Sequence, residues 1–179
     1  MSGQTWFTGD THFWHGGIIN SCKRPYDSPA EMTEALIAGW NARVGKRDTV
    51  YHLGDFAVRC GRKRAQATLD RLNGRKILIR GNHDESRFCA LDGWEEVHDL
   101  LVRPVAGRRL VLCHYALRVW PGQHKGALML FGHSHGRLAS TSKSCDVGVD
   151  AWTYQPVTLD EIEAHLALQR DVPPDYVET

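Results

Sequence analysis

Ten histidines stand among the 179 residues, and several fall beside Asp, Asn or Gly in short polar clusters. The clusters are Asp10-Thr11-His12, Gly54-Asp55, Gly81-Asn82-His83-Asp84, His114 and Gly132-His133-Ser134-His135. Carboxylate and amide oxygens together with imidazole nitrogens suit Mn, Fe, Zn or Ni better than Ca. No thiolate is needed, because the five cysteines are scattered and contain no CxxC pair, so neither a disulfide framework nor a zinc–thiolate centre is indicated. In Asp10-Thr11-His12 and His133-Ser134-His135 the i, i+2 spacing places both side chains on one face of an extended segment, where each pair can converge on a metal. Gly54, Gly81 and Gly132 precede the clusters and let the backbone turn and approach closely.

The clusters follow short apolar, β-branched runs at residues 5–8, 49–53, 76–80, 110–113 and 128–131, which read as buried strands, with a further strand at 145–149. Strands deliver side chains with little positional freedom, and loops at strand ends are where sites collect in α/β folds. Ser28-Pro29-Ala30-Glu31 carries a capping Ser, a Pro at the first helical position and a Glu three residues on, opening a helix to about residue 44. A second helix is predicted at 63–72, stopped by Asn73-Gly74, and a third after the capping box Thr158-Leu159-Asp160-Glu161. The expected architecture is mixed α/β of the α+β type: two packed β-sheets flanked by helices, in one domain of residues 1–170 followed by a tail at 171–179.

In this order the clusters resemble the signature of the calcineurin-like metallophosphoesterases, D-x-H, GD, GNH[DE], a single His and GHxH, and the compact chain looks like a small member of that superfamily. The resemblance spans Asp10 to His135 and implies a sandwich with two divalent cations at the carboxyl ends of its strands. It assigns Asp10, His12, Asp55 and His135 to one metal and Asp55, Asn82, His114 and His133 to the other, with Asp55 bridging. Paired metals about 3.5–4 Å apart can share a hydroxide as nucleophile and clamp phosphoryl oxygens. His83 is implied to stay off the metals and act as general acid or charge stabiliser, and Arg59 to contact phosphate. In the phosphoprotein phosphatases the second motif reads GDxxDR and its later Asp supports that histidine; here Val58 stands in its place, which leaves Asp84 as a candidate partner for His83.

A net charge of +1 offers no whole-protein argument for nucleic-acid polymers, and no apolar run approaches the roughly 20 residues that span a bilayer, so a cytoplasmic, non-membrane protein is expected. His15 is a candidate pocket-lining, substrate-binding residue, as is Arg59, whereas Arg62, Lys63 and Arg64 read as a solvated helix start. Asp146 and Asp150, flanking Val147-Gly148-Val149, read as structural acids on a closing strand, and the segment Trp120 to Lys125 as a loop over the site. The leading expectation is hydrolysis of a phosphate ester, a phosphodiester of nucleotide or cyclic-nucleotide type ahead of a phosphomonoester or phosphoprotein. The competitor of another class is a catalytically silent, metal-binding interaction scaffold, which the presence of every ligand and of His83 disfavours.

Overall fold

The structure, a computed structural model, describes residues 3–169, so the expected tail and the domain's outer limits lie outside the described residues. From the amino end run β1 (Thr5–Thr8), α1 (Gly16–Ser21), α2 (Pro29–Arg43), β2 (Thr49–His52), α3 (Arg62–Arg71), β3 (Arg75–Ile79) and α4 (Ser86–Cys89). There follow β4 (Trp94–His98), β5 (Leu100–Val105), β6 (Arg108–Cys113), β7 (Leu128–Phe131), β8 (Ser144–Asp146), β9 (Val157–Thr158) and α5 (Leu159–Leu166). One sheet has the order β4-β3-β2-β1-β9, parallel apart from β9, and the other the order β5-β6-β7-β8, parallel apart from the β5–β6 pair.

Strand periodicity decides the layering, because neighbouring side chains leave on opposite faces. Phe7, Tyr51, Leu53, Ile77 and Ile79 from the first sheet meet Leu110, Leu112, Leu128, Leu130 and Cys145 from the second, and α5 closes this shared core with Leu159, Ile162 and Leu166. Their neighbours Trp6 and Val50 face outward against Met32, Leu36, Ile37 and Trp40 of α2 and Ala65 and Leu69 of α3. On the far side Val111, Cys113, Met129 and Phe131 pack with Trp120 and Ala127. The expected two-sheet sandwich with flanking helices is therefore what forms. The caps also hold: Ser28 Oγ accepts the Glu31 amide at 3.1 Å, and Thr158 and Glu161 close a reciprocal capping box.

Two expectations about local structure are corrected. The last strand stops at Asp146, and residues 149–151 form a short 3-10 turn, because the Val149 amide bonds Gly9 O at 3.0 Å and pulls the chain out of the sheet toward the β1 loop. Trp120 is buried on the outer face of the second sheet and donates to Ala127 O, so it is a packing residue and not part of a cover over the site. Strands β4 and β5 were not anticipated; both lie at sheet edges, where Glu95, Glu96, Arg103 and Pro104 dilute the apolar pattern.

Candidate metal centre

The parallel strands β1, β2 and β3 end side by side, and so do β6 and β7 of the facing sheet. The loops that leave them are laced by backbone hydrogen bonds: Asp10 N to Gly54 O at 2.8 Å, His12 N to Asp55 O at 2.9 Å, and Gly132 N to His114 O at 3.0 Å. Asp10, His12, Asp55, Asn82, His114, His133 and His135 thus come together at one end of the sandwich.

Their convergence does not come from extended segments, as the i, i+2 spacing suggested. Asp10, His12, Asp55, His133 and His135 all have positive φ, between 48° and 65°. Non-glycine residues adopt this left-handed region rarely, and clusters of them mark functional sites where the surroundings hold the strain. The glycines explain how the loops fit: a Cβ on Gly81 would meet Asp55 Oδ1 at 2.3 Å, and one on Gly132 would meet Asp10 Oδ2 at 2.8 Å.

The donor atoms fall into two groups, Asp10 with His12 and His135, and Asp55 with His114 and His133, each able to hold a cation. Asp55 Oδ2 lies between them, 3.4 Å from His12 Nε2 and 3.6 Å from His114 Nε2. His114 Nδ1 donates to Leu53 O at 2.7 Å, and its other nitrogen, Nε2, lies 3.0 Å from Asn82 Oδ1. Asp10 Oδ1 and His12 Nε2 are buried without a hydrogen-bond partner among the described residues. Orphaned acceptors of this kind are rare in a folded interior, and a divalent cation would satisfy both.

Protonation follows the same logic. Burial, reinforced by Asp146 and Asp55, raises the Asp10 carboxyl well above its usual range, the mark of negative charge awaiting a counter-ion. Burial pushes His12 down to about 4, which keeps its imidazole neutral and available as a ligand. For Asp55 burial acts upward but is outweighed by His12, His114 and the His83 amide, and its carboxyl falls to about 2.

Residues 3–137 match the family model described as calcineurin-like phosphoesterase. The chain belongs to that family. Calcineurin-like phosphoesterases are metal-dependent hydrolases of phosphoric esters, so divalent cations are implied, and the donor set and orphaned acceptors fit them. An uncharacterized protein of Methanocaldococcus jannaschii, MJ1445, is 32% identical over 86% of this chain and 85% of its own length. The gene 66 protein of Mycobacterium phage D29 is 30% identical over 88% of this chain and 92% of its own. Among solved structures, a protein of unknown function from Aquifex aeolicus, AQ665, shares the fold with a TM-score of 0.71 and 24% identity, covering 91% of this chain and 99% of that one.

Around this phosphoesterase site Asp146 and Asp150 are structural acids as expected, but their partners, and the roles of Arg24 and His52, are ones that sequence reasoning missed. Asp150 bonds His135 Nδ1 at 2.7 Å while its two oxygens receive Arg24 Nε and an Arg24 amino group at 2.8 and 2.7 Å. Arg24, which is buried, also donates to Asp10 O and Thr11 O, so it is a brace under the first motif. Cys22 lies near His135 and Asp150, but Arg24 already neutralises that carboxylate, and a further cation has no charge to meet there. Asp146 ties the last motif by accepting from Ser134 Oγ, Gly136 N and Gly148 N. His52 is a core histidine bonded to Thr11 Oγ1, with burial taking it down to about 3.

Asp84 does not orient His83. Its carboxylate turns inward and accepts the amides of Asp55, Phe56 and Gly81 at 2.8–2.9 Å, fastening the second motif to the third. The His83 ring is exposed and has no hydrogen-bond partner among the described residues; its amide donates to Asp55 Oδ1 at 2.8 Å, and the ring centroid lies 5.4 Å from that of His12. Arg59 is exposed at the rim with no carboxylate partner among the described residues, and Tyr115 sets its ring 4.8 Å from His133. No helix of the described residues is long and apolar enough to cross a membrane.

Proposed function

We propose that this phosphoesterase hydrolyses phosphodiesters of the nucleotide or cyclic-nucleotide type, with two divalent cations held on either side of Asp55. Asp10, His12 and His135 would complete one cation site, and Asn82, His114 and His133 the other. The observation that carries this reading is the position of Asp55 Oδ2, within 3.6 Å of an Nε2 from each half of the cluster. When bound, the cations supply Lewis-acid activation of water and neutralise charge on the phosphoryl oxygens.

The chain's own groups account for the remainder. The His83 ring is exposed at the mouth with its amide fixed to Asp55, so the acid and the shared carboxylate are placed by one contact. Its role is to protonate the leaving oxygen. Arg59, exposed at the rim and without a carboxylate partner among the described residues, offers a forked donor to a phosphoryl oxygen pair. Two features support a diester. Val58 packs in the interior at the place where protein phosphatases carry an acid, and Tyr115 presents a half-exposed ring beside His133 on which an organic ester substituent can lie.

Manganese-loaded protein assayed against bis-p-nitrophenyl phosphate, p-nitrophenyl phosphate and cyclic nucleotides tests the proposal. Metal-dependent turnover is expected, faster on diesters. His83→Ala should lower kcat by about 10²–10⁴-fold with metal content unchanged. No metal-dependent turnover of any substrate would contradict the enzyme reading and favour a binding scaffold, while monoester preference would overturn the substrate class alone.

A further inference from the structure

His15, expected to line the substrate pocket, has its Nδ1 turned to a neighbouring histidine. Its Nδ1 lies 3.2 Å from His12 Nδ1, with the two rings near-stacked at 5.3 Å between centroids and 29° between planes. Such a contact is a hydrogen bond only when one nitrogen carries the proton and the other the lone pair. His12 Nε2 is the buried, unpartnered atom facing Asp55. If that nitrogen keeps its lone pair for a cation, the proton of the neutral ring must sit on Nδ1, and His15 must be the acceptor.

The same site repeats the arrangement with ordinary acceptors. His135 Nδ1 meets the Asp150 carboxylate at 2.7 Å and His114 Nδ1 meets Leu53 O at 2.7 Å. Metal-binding histidines usually rely on such a partner to fix tautomer and ring orientation. Among these three, His12 alone uses another imidazole.

The placement of His15 is built by its own segment. The His15 amide bonds His12 O at 3.0 Å, making a tight turn through Trp14, whose φ is 68°. Trp14 is pinned in turn: its amide bonds Thr33 Oγ1, its indole bonds Thr68 Oγ1 at 2.9 Å, and Arg64 covers its ring. Phe13 is fully buried beside it. On the other side, Gly17 leaves room for the imidazole, since a Cβ there would stand 3.1 Å from His15 Nε2.

We infer that His15 is a positioning residue that accepts the Nδ1 proton of His12, holds it in the tautomer that presents Nε2, and thereby sets the cation affinity of the Asp10–His12–His135 half-site. This rests on the proposed ligand role of His12. The test is calorimetric titration of metal-stripped full-length protein with Mn²⁺ or Zn²⁺, with metal content measured after gel filtration. Wild type should bind two ions; His15→Ala should weaken one of them by about 10–100-fold and leave the other unchanged. His15→Asn places an amide oxygen close to the position of Nδ1 and should recover most of the lost affinity, with KM for a diester unaltered at saturating metal. Equal loss in the Ala and Asn variants would overturn the inference in favour of packing, and wild-type metal binding with a raised KM would overturn it in favour of substrate contact. His12→Ala separates the two levels: if it too binds both ions as wild type does, the ligand assignment itself has failed.

Discussion

The two halves of the cluster are built differently. Asp10 and His12 are buried, and His135 beside them is backed by Asp150, which Arg24 neutralises from below. In the other half the shared Asp55 and His114 are buried, but His133 and Asn82 are exposed, and Tyr115 flanks them at the surface. The closed half is braced by the fold through side-chain hydrogen bonds that cross 126 residues of sequence, from Arg24 to Asp150. The open half is placed mainly by where β3, β6 and β7 end. On the proposed two-cation reading, this division would put one cation site in the folded interior and leave the other facing incoming substrate.

The largest effect is expected where the closed half is broken from beneath. Arg24→Met strands the buried Asp150 carboxylate and leaves Asp10 O and Thr11 O without donors. Removing one partner of a buried pair costs about 3–5 kcal/mol, so the melting temperature of metal-free protein should fall by roughly 10 °C or more. An unchanged melting curve would show that the brace is not holding the half-site. His133→Ala sharpens the contrast, since its ring is exposed. Stability without metal should move by no more than about 0.5 kcal/mol while titration shows one ion bound more weakly. If instead the metal-free protein unfolds readily, the open half is as structural as the closed one.

The smallest effect is expected far from both halves. Glu96 is held down to about 2 by Arg103 and His98. A depressed carboxyl contributes stability that is complete above its unfolded value and is lost as pH falls from about 4.5 toward about 2. Glu96→Gln should flatten the acid end of the stability–pH curve, and at neutral pH should change stability by less than about 1 kcal/mol because the pair is largely solvated. Metal titration should not change.

The gathering of the candidate donors was legible in the sequence because each lies within a few residues of a strand end, and short strands announce themselves as apolar runs. The edge strands β4 and β5 were not, because charged residues and a proline break their pattern. The supporting residues were hidden for another reason. Arg24 and Asp150 bear no motif relation to each other, and only the packing of the β1 loop against the turn at residues 149–151 makes them a pair. Asp84 shows the limit of adjacency: it neighbours His83 in sequence, yet the turn points its carboxylate toward three amides in the opposite direction. Backbone conformation was the last missing part, since nothing in Asp-Thr-His or His-Ser-His spelled out left-handed φ values.

Anomalous diffraction from manganese-soaked crystals tests the central claim most directly. Two peaks are predicted about 3.5–4 Å apart, on either side of Asp55 Oδ2, one beside Asp10, His12 and His135 and the other beside Asn82, His114 and His133. A single peak, or ions elsewhere such as beside Cys22 and Asp150, would contradict the account.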